Sequence, residues 1–212
     1  MNNYSLTLQN ITKSFGRRLI FKEINYKFES GKVYGFSGRN GSGKSTLVKI
    51  AAGLISPTNG KVIHKDSDKE IISEKLHNYI GFVSPYLVLY DEFNAEENLM
   101  HFSNIRGIKF DRERADFLLN EFELLNRKKD LLKGYSSGMK QRMKFISALL
   151  HMPKILFFDE PTSNLDNSGK EKVYEIINRE SKNNLVIVAS NETSDLALCG
   201  EVLEIENYKV NI

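Results

Sequence analysis

The chain has 212 residues, 41% of them hydrophobic, and a formal net charge of only +3. This length supports one globular unit, and so weak a charge gives no reason to expect nucleic acid or a membrane surface as a partner. The single cysteine, Cys199, rules out an internal disulfide. Because no apolar run approaches the ~20 residues of a membrane-spanning helix and no signal-peptide pattern opens the chain, we expect a cytoplasmic protein that meets a membrane only through a partner.

The first part of the chain predicts a β region, followed by a strand, a glycine-rich turn and a helix. Strand patterns occupy residues 4–11 and 32–38, and a helical pattern occupies residues 44–54. Short strands are expected after this helix, the last at residues 79–84. The order of strand, glycine-rich turn and helix is typical of α/β proteins.

The middle of the chain changes to helical spacing. The pattern runs from Asn94 to about Leu125 and returns from Met139 to His151. Asn94 and Glu97 have the spacing of a capping box, which marks a helix start. We therefore expect a helical lobe in this region.

Two continuous apolar runs, residues 155–158 and 185–189, flank a helical pattern at residues 170–180. Such runs are typical of parallel strands that are buried on both faces. We expect one domain over residues 1–212 with an α/β fold. Its expected parts are a core of residues 1–86 and 152–212 and a helical lobe of residues 87–151.

Residues 38–46, GRNGSGKST, match the pattern G-x-x-x-x-G-K-[ST]. Their place between a strand and a helix lets successive backbone N–H groups turn toward one anion, although an ordinary flexible turn is the alternative. Lys44 would reach the terminal phosphates of ATP, and Ser45 would offer its hydroxyl to Mg²⁺. The remaining residues expected to bind the nucleotide here are Gly38, Asn40, Gly41, Ser42, Gly43 and Thr46.

Asp159 and Glu160 follow the apolar run 155–158 and precede a proline. The end of a buried strand beside a phosphate loop is a rigid position from which Asp159 could hold Mg²⁺. Since successive strand residues point to opposite sides, we expect Glu160 to face elsewhere, toward the water that attacks the γ-phosphate. Two solvated carboxylates at the start of a loop are the alternative.

Residues 135–142, YSSGMKQR, place a serine and a glycine at a second helix start that could bind an anion. Here the sequence resembles the ATP-binding subunit of ABC transporters, of small export type, over nearly the whole chain. The resemblance implies a P-loop NTPase fold with a RecA-like, mixed and largely parallel sheet, an N-terminal antiparallel β region and a helical lobe. It also implies that Ser136 and Gly138 contact the γ-phosphate of ATP in a partner subunit, that Asp166 lies at the dimer interface, and that Phe15 stacks on adenine.

Two positions depart from the family. The resemblance implies a glutamine where Pro85 stands and a histidine where Asn191 stands. An asparagine amide can still donate to phosphate, whereas a proline side chain cannot, so we expect slow but real ATP hydrolysis with Asn191 contributing. A nearby hydroxyl, from Ser84 or Tyr86, could also substitute.

Three functions stay open. The first is an ATPase that forms an ATP-dependent homodimer, or pairs with a second ATPase subunit, and drives a transmembrane permease from the inner face of the cell membrane. The second is a soluble ABC-type ATPase acting on nucleic acid or ribosomes, which the lack of any sustained heptad pattern disfavours. The third is an ATP sensor without turnover. A P-loop kinase or GTPase gives no role to residues 135–142.

Overall fold

The computed structural model describes residues 3–209, whose nine strands form two separate sheets. The strands are β1 (Tyr4–Phe15), β2 (Arg18–Glu29), β3 (Val33–Ser37), β4 (Asn59–Asp66), β5 (Lys69–Glu70), β6 (Ile80–Val83), β7 (Ile155–Asp159), β8 (Leu185–Ala189) and β9 (Glu201–Glu204). The α-helices are α1 (Lys44–Ala51), α2 (Ala95–Ile105), α3 (Arg112–Glu121), α4 (Ser137–Leu149), α5 (Asn167–Glu180) and α6 (Thr193–Leu196). None of the helices within residues 3–209 has the length and apolar character that crossing a bilayer requires.

The N-terminal sheet is antiparallel, with the strand order β2-β1-β4-β5. Alternate residues of β1, namely Tyr4, Leu6 and Leu8, are buried while their neighbours are partly exposed. This alternation is what an antiparallel sheet with one packed face requires. The buried face packs with α1 against the second sheet.

The central sheet is parallel throughout, with the order β6-β7-β8-β3-β9. Every residue of β7 and β8 is buried, which confirms the interpretation of the two apolar runs. One face packs against α1 and the antiparallel sheet, and the other packs against α2 to α5. The α/β fold class is therefore confirmed, with the parallel and antiparallel strands in separate sheets.

The helical region differs in detail from the expectation. The stretch from Asn94 to about Leu125 is two helices, α2 and α3, because the chain turns at Gly107 in a left-handed conformation (φ 69°). The capping box of Asn94 and Glu97 is confirmed. Helix α4 begins at Ser137, before the expected Met139, since the Ser136 side chain accepts a hydrogen bond from the Met139 N–H at 3.2 Å and caps the helix.

The order of the central strands places three loops together. Strands β7, β8 and β3 are neighbours and run in one direction, so the segments after them meet at one edge of the sheet. Ligands of open α/β sheets bind at this edge. The glycine-rich loop, the two carboxylates and Asn191 follow β3, β7 and β8 respectively.

Candidate active site

The glycine-rich loop between β3 and α1 depends on glycine at two positions. Gly38 and Gly43 have φ angles of 151° and 115°, which side-chain-bearing residues rarely adopt. A Cβ atom would lie 2.5 Å from the Ser42 hydroxyl at Gly38 and 2.6 Å from the Ile20 side chain at Gly43. Helix α1 begins at Lys44 with no side-chain cap, so its first N–H groups are available to an anion.

The loop borders a cavity of about 710 Å³ at this edge of the sheet. Cavities of this size bind nucleotide-sized ligands. The lining residues are Arg18, Ile20, Asn40, Gly41, Gly43, Lys44, Ser45, Thr46, Lys49, Pro85, Tyr86, Glu160, Ser163, Asn164 and Asn191. The structure thus brings together residues from the loop, from the segment after β7 and from the segment after β8.

Lys44 is the cation at the centre of this cavity. Its side chain is 5% exposed, and Nζ donates a hydrogen bond to the Gly38 carbonyl at 2.8 Å. The same Nζ lies 3.4 Å from Oε1 of Glu160. The loop therefore holds the ammonium group in place, so the Lys44 side chain need not change its rotamer when a phosphate binds.

Asp159 and Ser45 form the part of the site that fits a divalent cation. Ser45 Oγ donates to Asp159 Oδ1 at 2.9 Å, while the buried Oδ2 has no hydrogen-bond partner within residues 3–209. Burial raises the pKa of Asp159, and the Ser45 hydrogen bond opposes that rise. A buried carboxylate oxygen without a partner is costly, and carboxylate and hydroxyl oxygens are ligands that Mg²⁺ prefers. The pair fits Mg²⁺, and because the described residues include no cluster of three or more metal-ligating side chains, phosphate and water oxygens would complete the shell.

Glu160 faces the cavity for a reason other than strand alternation. Strand β7 ends at Asp159, and Glu160 adopts a left-handed conformation (φ 49°) in which its N–H donates to the Ala189 carbonyl at 2.8 Å. Burial raises the pKa of Glu160, and the charge of Lys44 opposes that rise. A higher pKa makes a carboxylate a better proton acceptor. The expectation that the two carboxylates face different ways is met by a backbone turn.

Asn191 lies in the cavity at the end of β8, and a buried hydrogen-bond network supports it. The Asp195 carboxylate accepts hydrogen bonds from Ser190 Oγ at 2.7 Å, Thr162 Oγ1 at 2.9 Å and Tyr174 OH at 2.9 Å. The network fixes the residue that precedes Asn191 and joins it to the segment after β7. Sequence reasoning missed it because its members are far apart in the chain.

The segment after β6 reaches the cavity through Pro85 and Tyr86. The Ser84 hydroxyl is buried and lies close enough to Asp159 to lower the pKa of that carboxyl. The chain also places Lys49 in the lining, with its Nζ 5.3 Å from the Tyr86 ring centroid. Lys49 follows Ser45 by one helical turn, a spacing from which its place on the same face could have been predicted.

Seven expected site residues do not line this cavity, namely Phe15, Gly38, Ser42, Ser136, Gly138, Asp159 and Asp166. Ser136 and Gly138 lie at the start of α4, and Asp166 caps α5 by accepting a hydrogen bond from the Gly169 N–H at 2.8 Å. Phe15 is 54% exposed, with Lys13 Nζ 4.8 Å from its ring centroid. Ser42 is buried, and the Gly38 carbonyl accepts the Lys44 hydrogen bond, but neither residue lines the open cavity.

Comparison with known proteins gives consistent matches. The family described as ABC transporter matches residues 21–163. The lantibiotic transport ATP-binding protein SrtF of Streptococcus pyogenes is 35% identical over 185 residues, which cover 87% of this chain and 79% of that protein. The putative hemin import ATP-binding protein HrtA of Staphylococcus haemolyticus is 34% identical over 222 residues, covering 98% and 100% of the two chains. Among solved structures, a putative ABC transporter ATP-binding protein from Pyrococcus furiosus is 25% identical, with a TM-score of 0.82 over 97% of this chain and 100% of that one.

Proposed function

The chain belongs to the ABC transporter family, whose ATP-binding members are ATPases, and we propose that it hydrolyses ATP to drive a separate transmembrane permease. The observation that carries this proposal is the group formed by Lys44, Glu160, Ser45 and Asp159 at one edge of the parallel sheet. In this proposal Lys44 binds phosphate, Glu160 accepts a proton, and oxygens of Ser45 and Asp159 bind the metal ion. Binding to the permease would hold the protein on the inner face of the cell membrane.

The residues of this chain divide the work of hydrolysis. The N–H groups of the glycine-rich loop and the Lys44 ammonium group bind the phosphates, and Glu160 accepts the proton of the attacking water. The Asn191 amide donates a hydrogen bond to the γ-phosphate. Ser45 and Asp159 would hold Mg²⁺, which neutralises charge on the phosphates when it is bound.

A second copy of the chain would complete each nucleotide site. Ser136 and Gly138 lie outside the cavity of their own chain, yet they begin a 13-residue helix whose N-terminus suits an anion. A head-to-tail dimer would bring this helix start to the ATP bound by the other copy. Asp166 and the neighbouring residue Asn164, which lines the cavity, would then lie near the interface.

A groove between the core and α2 is the surface that we assign to the permease. Two adjoining cavities of about 450 and 430 Å³ share Leu54, Phe82, Phe102 and Arg106. Their linings include the basic residues Lys49, His77 and Arg106 and no aspartate or glutamate. Arg106 donates to the backbone carbonyls of His77 and Ile80 and forms no ion pair within residues 3–209. Apolar walls around an unpaired guanidinium fit an amphipathic segment that carries a carboxylate.

The experiment for this proposal co-expresses the chain with the products of its neighbouring genes and purifies the chain from the membrane fraction. The chain should co-purify with a protein of several membrane-spanning helices, and the complex should hydrolyse ATP faster than the chain alone. Arg106→Glu should abolish co-purification but keep the basal turnover of the chain, while the exposed control Lys172→Glu should keep both. A complex that tolerates Arg106→Glu would contradict the assigned groove, and a chain with turnover but no membrane partner would favour the soluble ATPase.

A further inference from the structure

The segment after β6 lies beside the metal-ligating carboxylate. Val83 of β6 pairs with Phe158 of β7, so Ser84 and Asp159 follow at the same level of neighbouring strands. The Ser84 side chain is 1% exposed, and its hydroxyl accepts a hydrogen bond from the Tyr86 N–H at 3.3 Å. A shift of this turn would therefore move a polar group that is packed against Asp159.

The Pro85 side chain cannot form hydrogen bonds that would hold this turn in place. A proline side chain neither donates nor accepts hydrogen bonds, and its backbone nitrogen carries no hydrogen. The turn presents the backbone carbonyls of Ser84 and Pro85 to α4, and the Ser84 carbonyl also accepts a hydrogen bond from the Leu87 N–H at 3.1 Å. Both accept hydrogen bonds from one side chain, since Lys144 Nζ lies 3.1 Å from the Ser84 oxygen and 3.0 Å from the Pro85 oxygen.

Lys144 has no competing partner in the part of the chain that the structure describes. It forms no ion pair there, and burial lowers the pKa of its ammonium group. Removing a lysine head group from water is unfavourable unless hydrogen bonds compensate. The two carbonyls supply those bonds, which makes the contact between α4 and the turn specific rather than incidental.

Helix α4 connects this contact to the helix start that contains Ser136 and Gly138. Lys144 lies eight residues after Ser136, which is about 12 Å along a continuous helix. A rigid helix transmits a displacement of its first turn to Lys144, and Lys144 transmits it to the turn at Ser84 and Pro85. The contact therefore joins the helical region to the surroundings of Asp159.

We propose that Lys144 is a positioning residue for ATP hydrolysis, which holds the turn of Ser84 and Pro85 beside Asp159 through its two backbone carbonyls. The proposal depends on the ATPase activity of the chain and does not depend on the permease. Lys144 does not touch ATP in this account. It replaces, through the backbone, a connection that a side chain at position 85 cannot make.

The first test compares turnover and ATP affinity in the purified chain. Lys144→Met keeps the length of the side chain and removes its donors, so kcat should fall by about 10- to 100-fold while the dissociation constant of ATP changes less than about two-fold. Lys144→Arg retains donors and should restore most of kcat. Lys172→Met is the matched control, because Lys172 pairs with Glu175 on the exposed face of α5.

The second test reads the turn directly and distinguishes positioning from folding. The chain contains no tryptophan, and Val88 in the same segment is 79% exposed, so Val88→Trp introduces a single tryptophan, which can be excited selectively over the tyrosines. Addition of ATP and Mg²⁺ should change the emission of this tryptophan when residue 144 is lysine or arginine. The change should be absent in the protein that also carries Lys144→Met.

Either of two results would overturn the proposal. One is a Lys144→Met protein with the turnover and fluorescence change of the parent. The other is a Lys144→Arg protein that folds and binds ATP but is as slow as Lys144→Met. If Lys144→Met does not fold, the test uses Lys144→Arg alone. A Lys144→Arg protein that folds but hydrolyses ATP much more slowly than the parent would then contradict the positioning role.

Discussion

Lys44 and Glu160 lie opposite each other in the cavity, with 3.4 Å between Nζ and Oε1. The carboxylate thus neutralises the cation that would otherwise meet the phosphates, and the same carboxylate is the expected proton acceptor. We therefore expect Glu160 to weaken ATP binding while it promotes turnover.

Glu160→Gln should separate those two effects. Turnover should fall by about 100-fold or more because the proton acceptor is lost. ATP should bind more tightly because Lys44 no longer has a carboxylate neighbour. Steady-state kinetics and equilibrium binding of a fluorescent ATP analogue measure the two quantities, with the exposed variant Glu175→Gln as the control. Unchanged turnover would refute the assignment of the base.

Asp159→Asn should change the Mg²⁺ response and the stability of the chain in different directions. Hydrolysis should fall by about 100- to 1,000-fold, since a positioned group beside the phosphates is altered. Burial raises the folded-state pKa of Asp159 above its unfolded value, so stability is lost as the pH rises through the folded-state pKa, and the ionised carboxylate disfavours the fold at pH 7. The nucleotide-free variant should therefore melt at a higher temperature at pH 7 but gain less from Mg²⁺ and ATP. A lower melting temperature would contradict the unpartnered state of Oδ2.

Asn191→His should accelerate hydrolysis. The asparagine lies in the cavity behind the Asp195 network, and an imidazole there would restore the group that the resemblance implies. We expect kcat to rise by about 10-fold. This is less than the roughly 100-fold effect of a well-placed hydrogen-bond donor, because Pro85 still lacks the side chain that the family has at its position. Asn191→Ala should lower kcat below the parent value. Equal rates for the Asn, His and Ala proteins would show that this position takes no part in turnover.

The stability of the chain should fall steeply between pH 6.5 and 4. Burial lowers the pKa of both His64 and His151 to about 4. His64 is held neutral between the Tyr4 hydroxyl and the Ala51 carbonyl, each 2.8 Å away. Since the unfolded chain binds these protons at higher pH, the stability is fully present above pH 6.5 and is lost as the pH falls toward 4. Each histidine should account for on the order of 3 kcal/mol across this range.

Urea unfolding at several pH values measures that loss. The exposed variant His77→Gln should keep the pH dependence, whereas His151→Leu should remove about half of it. A free energy of unfolding that stays constant from pH 7 to pH 4.5 would contradict the buried, neutral state of both rings.

The sequence predicted those features that depend on local pattern. The apolar runs at residues 155–158 and 185–189 gave two buried parallel strands, and the capping box at Asn94 gave the start of α2. The fold class and the phosphate loop follow from the same kind of signal. The positions of Gly38 and Gly43 are local as well, because a tight loop before a helix demands glycine.

Contacts between distant segments could not be predicted in this way. The Asp195 network and the contact of Lys144 with Ser84 and Pro85 join residues that no periodicity relates. The sequence pattern also did not predict the left-handed conformation of Glu160, because an Asp-Glu pair does not indicate at which residue the strand ends.

We propose that the start of α4 completes a nucleotide site in a second copy of this chain. Gly138 offers a direct test, because a Cβ atom there would meet nothing closer than 3.8 Å and Gly138→Asp should fold normally. With ATP and Mg²⁺, the Glu160→Gln protein should elute from a size-exclusion column as a dimer, and Glu160→Gln with Gly138→Asp should elute as a monomer. A Glu160→Gln protein that stays monomeric at every concentration, or a dimer that tolerates Gly138→Asp, would contradict the account.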